Sequence, residues 1–132
     1  MSRRTRSAKG SWYTDVKVCA LSRDVRSTFK GIIEVMADDW GRFVADSRLV
    51  KGDVWPFDDD ITTRKLENYL RILEQSGRIF LYEVESVRYG LIVNWFKHQR
   101  IDHPTLSEIP EPPEPYARIA REFFESLSRT DQ

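Results

Sequence analysis

Thr63, Arg64, Lys65, Asn68 and Arg71 fall within nine residues of one stretch. Arginine matches guanine and asparagine matches adenine through paired hydrogen bonds in the major groove, so the chemistry these types offer is the reading of base edges. Other cations stand where a phosphate backbone would run. Arg78 and Arg88 belong to a hairpin-like segment, Arg42, Arg48 and Lys51 flank the preceding short helix, and Lys97, His98 and Arg100 follow the hairpin. Glu67 and Glu74 lie on the same stretch as the base-reading candidates and oppose them with negative charge. A solvated, mixed-charge helix face is the plain alternative.

Bond-making chemistry finds little support. Cys19 is the best nucleophile, but it lies among Val16, Val18, Ala20 and Leu21 and reads as a buried, inert thiol. His98 and His103 have no cysteine pair or acidic triad beside them, so a metal site is not expected. Asp58, Asp59 and Asp60 immediately precede a helical stretch, where acids cap and complement the helix dipole. There is no glycine-rich phosphate loop, no GxSxG and no HExxH. The expectation is a non-enzyme with no cofactor, no metal and no catalytic residue.

The spacing of apolar residues supplies the elements that must hold the cations. Ser22 precedes Val25, Phe29, Ile32, Ile33 and Met36, a helical spacing predicting a capped helix over about 23–38 that ends near Trp40 and Gly41. Residues 42–45 read as a short extended link. Asp46 and Ser47 can cap a second helix carrying Leu49, Val50 and Val54, stopped by Pro56. Thr62 or Thr63 caps a third, with Leu66, Tyr69, Leu70 and Leu73 on one face and Gly77 closing it. Residues 78–84 and 87–93 then alternate as strands around Glu85 and Ser86, which are not a favoured turn pair. Upstream, residues 12–21 read as a short helix or turn bringing Trp12, Val16 and Cys19 to the core, and the other large aromatics (Trp40, Trp55, Tyr82, Trp95, Phe96) read as core as well. Helix, link, helix, helix, strand, turn, strand is an α+β order and predicts a winged helix-turn-helix, with the third helix in the major groove and the hairpin as wing.

Length and charge bound the rest. The chain has 132 residues, with 21 Lys and Arg against 21 Asp and Glu. A single domain of this size buries enough surface for a core without staples. No apolar run approaches the ~18 residues of a membrane span, no secretory signal is evident, and a lone cysteine fits a reducing, cytoplasmic compartment. Zero net charge speaks against nucleic acid only until it is resolved along the chain. Residues 1–10 carry four cations and no acid, residues 102–132 carry seven acids against three arginines, and residues 11–101 balance. The expected organisation is a basic disordered arm (1–11), a winged-helix domain (12–103), a proline-rich linker (104–115) containing IPEPPEP, and an amphipathic C-terminal helix and tail (116–132) able to dock or to dimerise.

Three strings carry a resemblance: DDWGRFVADSRLVKGDVWP (38–56), LENYLRILEQSGRIFLYEV (66–84) and YGLIVNWFKHQRIDHPTLSEIPEPP (89–113). With Leu21, Ser22 and Arg26 they follow the pattern LS-x-x-x-R, D-D-x-G-R, a short helix ending in proline, a G-x-I-x-x-Y hairpin and a KHQ-x-I-x-x-P-x-x-S-x-x-P tail. This resembles a family of phage and prophage replication-associated proteins, similar to the N-terminal domain of DnaD-like replisome organisers. The resemblance implies a winged-helix domain that binds origin duplex DNA and helps recruit a helicase or helicase loader. It implies no catalytic residue. A phage transcriptional regulator on the same fold, dimeric through the C-terminal helix, and a protein–protein docking module are the alternative readings.

Overall fold

The structure, a computed structural model, describes residues 21–99 and 101–130. The basic arm, the expected turn at 12–20 with Trp12, Val16 and Cys19, and Arg100 lie outside the described residues. Within them the chain is α+β, with five α-helices and a three-stranded antiparallel sheet.

Local chemistry starts and stops the helices. Helix α1 (Arg23–Gly31) is capped by Ser22, whose hydroxyl accepts from the Val25 amide. The expected continuation to residue 38 instead widens into a π-helical turn (Ile32–Met36), closed by the Ala37 amide on the Ile32 carbonyl. The wider turn leaves the adjacent Ile32 and Ile33 both buried. Residues 42–45, expected as a link, contain strand β1 (Arg42–Val44), entered through Gly41 at φ 75°. Helix α2 (Ser47–Val54) starts on Asp46, and α3 (Thr63–Gln75) on Thr62, each cap accepting a backbone N–H. Gly77, at φ 78°, ends α3 in the left-handed conformation that glycine adopts without steric cost.

Strands β2 (Ile79–Val84) and β3 (Val87–Ile92) form the hairpin, and β3 is central in the order β1-β3-β2. Val84 pairs with Val87, so Glu85 and Ser86 alone make the turn, both at positive φ (51° and 67°). This is the twist-matched turn in which both central residues are left-handed.

Strand alternation sends side chains to two faces. Phe43, Ile79, Gly90 and Ile92 meet α1, α2 and α3 in the main core, with Leu66, Leu70 and Leu73 fully buried. The Phe43 ring lies over Gly90 so closely that a Cβ there would overlap it. Arg42, Phe80, Tyr82, Tyr89 and Leu91 point the other way.

That second face is covered by the end of the chain. After a short helix α4 (Trp95–His98), residues 104–115 run as a strap and α5 (Tyr116–Thr130) follows. The strap is extended, as its prolines require, but it is fixed along its length. Thr105 donates its amide and hydroxyl to Asp39 (2.9 and 3.0 Å), and its carbonyl accepts from Trp40 Nε1 (2.7 Å). Ser107 donates to Asp38 (2.5 Å), and Tyr82 donates to the Pro110 carbonyl (2.8 Å). Helix α5 buries Ala117 and Ala120, stacks Phe123 on Phe96 and sets Tyr116 against Phe80. Its apolar side is therefore partly used within its own chain, while Ile119 and Phe124 stay exposed. No described helix is long and apolar enough to cross a membrane.

Candidate nucleic-acid interface

Helix α3 buries Leu66, Leu70 and Leu73, which turns a different set of positions to solvent. Arg64, Asn68, Arg71 and Gln75 are all exposed and spaced four, three and four residues apart, so they form one stripe along the helix. Thr63 and Lys65 are exposed beside its start. Among the described residues Arg64 and Asn68 have no side-chain hydrogen bond or ion pair. Lys65 reaches back to the Asp60 carbonyl (2.8 Å) and Lys51 to the Asp58 carbonyl (2.5 Å), so both keep their charge while bracing the acidic loop ahead of α3.

Other cations are already paired. Arg71 lies between Glu67 (3.7 Å) and Glu74 (3.5 Å) on its own helix. Arg48 grips its cap residue Asp46 at 2.8 Å, although its side chain is 83% exposed. This pair lowers the Asp46 carboxyl below its ordinary range, through the side-chain hydrogen bond first and the Arg48 amide next.

The hairpin contributes little free charge. Arg88 donates to both oxygens of Glu67 (2.5 and 2.7 Å) and through Nε to the Ala45 carbonyl (2.9 Å). These bonds tie β3 to α3 and to the end of β1. They hold the Glu67 carboxyl below its ordinary value against the opposing effect of burial. The tip of the hairpin presents Glu83 at the end of β2 and Glu85 in the turn. Arg78 is half-buried, and its Nε has no partner.

Arg42 and Lys97 are on the far side of the sheet. Arg42 is only 5% exposed, because it alternates with the core residue Phe43 and lies under the strap. Its guanidinium sits 5.3 Å from the Trp40 ring centroid and makes a long contact with the Ile109 carbonyl (3.4 Å). Burial takes it away from any phosphate at α3. Nearby Tyr82 has its phenol pushed up to about 12, by burial above all, with Arg42 pulling the other way. Lys97 is exposed on α4, behind the sheet.

The structure thus brings together Thr63, Arg64, Lys65, Asn68 and Arg71, and separates them from Arg42 and Lys97. Glu67 is the residue whose role reaches furthest beyond sequence reasoning, since it neutralises a helix cation and a hairpin cation at once. Its i, i+4 spacing to Arg71 is visible in sequence, whereas Arg88 is 21 positions away. Among the described residues no group of three His, Cys, Asp or Glu is placed to hold a metal ion. No family model, curated protein or solved structure matches the chain.

Proposed function

We propose that this chain is a DNA-binding module of the winged helix-turn-helix type, with α3 entering the major groove. The exposed Arg64–Asn68–Arg71–Gln75 stripe is the observation that carries this reading. The element order helix, strand, helix, helix, strand, strand and the central position of β3 support it. The resemblance to phage and prophage replication proteins sets the context: origin binding in replication initiation, in the bacterial cytoplasm, with a helicase or helicase loader as protein partner.

The charge pattern sets the affinity. With Arg88 spent on Glu67, Arg48 on Asp46 and Arg71 flanked by acids, Arg64, Lys65 and Lys51 remain for phosphates. Binding is therefore modest and its salt dependence shallow for a DNA-binding protein, with log affinity falling at a slope of about −2 to −4 against log salt. Binding to duplex and single-stranded DNA across a salt series tests this. Arg64→Ala weakens duplex binding about tenfold or more, the loss of one good base or phosphate contact. No binding at low salt overturns the reading, and unchanged affinity in Arg64→Ala removes α3 as the contact face.

A protein-docking module is the second reading, favoured by the hairpin tip, where Glu83 and Glu85 stand out and Arg88 is neutralised. Under that reading the chain fails to bind DNA at low salt but forms a stable complex with a basic partner surface, lost in Glu83→Lys with Glu85→Lys.

A further inference from the structure

A cavity of about 160 Å³ lies behind the sheet, under α5. Trp40, Trp95, Phe96 and Tyr116 supply its aromatic wall; Arg42 is its buried cation, and Lys97, exposed on α4, also lines it. Ile119, 47% exposed, is also part of the wall, so the cavity reaches solvent on that side.

Arg42 is the unusual member. A buried guanidinium is costly unless an anion or a full set of acceptors meets it. Arg42 is 95% buried, yet among the described residues no carboxylate lies within ion-pair distance. Its Nε has no hydrogen bond, its Nη2 has none, and its Nη1 has only the long one to Ile109. The two acids just ahead of it in sequence are occupied elsewhere: Asp39 accepts from the Thr105 amide and hydroxyl, and Asp38 accepts from the amides of Trp40 and Arg42 with one oxygen and from Ser107 with the other. An aromatic-walled space with one under-used buried cation is the usual make-up of a site for an apolar anion.

We propose that this cavity binds a small aromatic monocarboxylate, with the ring among Trp40, Phe96 and Tyr116 and the carboxylate accepting from the Arg42 guanidinium. Size fits the class, since a dry cavity of about 150 Å³ accommodates one benzene-sized molecule. A planar carboxylate also matches the fork of a guanidinium better than a spherical ion does. The site is on the opposite face of the sheet from α3 and does not depend on the DNA reading.

Benzoate is the probe, titrated into the full chain while the indole N–H resonances of Trp40 and Trp95 and the tryptophan fluorescence are followed. Benzamide, its neutral isostere, and acetate, a carboxylate without the ring, are the comparisons. Saturable benzoate binding, at least tenfold tighter than either, is expected. Arg42→Gln removes the preference over benzamide. Because Arg42 also holds the strap, Ala120→Met serves as the second variant: it fills the space from α5, leaves Arg42 in place and abolishes benzoate binding while the circular dichroism stays unchanged. Absence of a saturable response overturns the proposal, as does equal affinity for benzamide. Undiminished binding in a folded Ala120→Met protein overturns it too, and the wild-type comparison decides the matter if that variant unfolds.

Discussion

Arg88 makes three hydrogen bonds from one guanidinium, two to Glu67 and one to the Ala45 carbonyl, with its side chain only 25% exposed. In sequence it looks like a wing cation because it follows the hairpin turn. In the fold it is a rivet between β3, α3 and the end of β1. Arg88→Ala therefore acts on stability, lowering it by about 1–3 kcal/mol through the stranded Ala45 carbonyl and the lost charged pair, as a urea titration would read. Glu67 gives the pair its pH dependence. Its folded value is held below the ordinary glutamate value of 4.5, so the stabilisation is complete above that value and is lost as pH falls through the lower folded value. Urea midpoints measured down to pH about 3 should fall more steeply for the wild type than for Glu67→Gln. A parallel decline in both proteins would show that the pair is not the titrating device.

The elements were legible where their signals were local. Ser22, Thr62 and Gly77 each act within a few residues of themselves, and each does in the structure what its type and position predict. The hairpin's two strands were equally readable from alternation. Its turn was not, because Glu85 and Ser86 are poor residues for a conformation with two positive φ values, and strand register forces them into it. Left-handed backbone costs roughly 1–2 kcal/mol at a non-glycine residue, so the turn is held at a loss by the pairs behind it. Replacing Glu85 with Asn and Ser86 with Gly removes that loss and raises stability by about 1–2 kcal/mol, visible as a higher Tm with unchanged strand signals. A lower Tm would mean that Glu85 or Ser86 contributes something its exposure does not suggest. Among the site residues, the α3 stripe was legible from helical spacing alone. The consumption of Arg88 was not, because its partner lies across a tertiary contact, and neither was the burial of Arg42, which depends on a strap 67 positions away.

At the scale of the molecule, the sheet is covered twice: by α1, α2 and α3 on one face, and by the strap and α5 on the other. Five prolines in the strap predict an extended spacer, and the backbone is extended, but Asp38 and Asp39 hold it by contacts spanning 69 and 66 positions. Such contacts leave no periodic trace in sequence. A chain ending at residue 103 loses them all and uncovers Trp40, Phe80, Tyr82 and Phe96. It should melt well below the full chain and bind a hydrophobic dye, whereas an equal Tm without dye binding would show that the helical core stands alone. The same double cover has a consequence for synthesis. A ribosome adds about 5–20 residues per second, so the roughly twenty residues from Thr105 to Phe124 arrive one to a few seconds after the hairpin is complete. Until that segment docks, a folded sheet has an aromatic face (Phe80, Tyr82, with Trp40 and Phe96 beside it) open to water. The most association-prone form of this protein is thus the one that precedes docking of the strap and α5, and it ends when they close over the sheet.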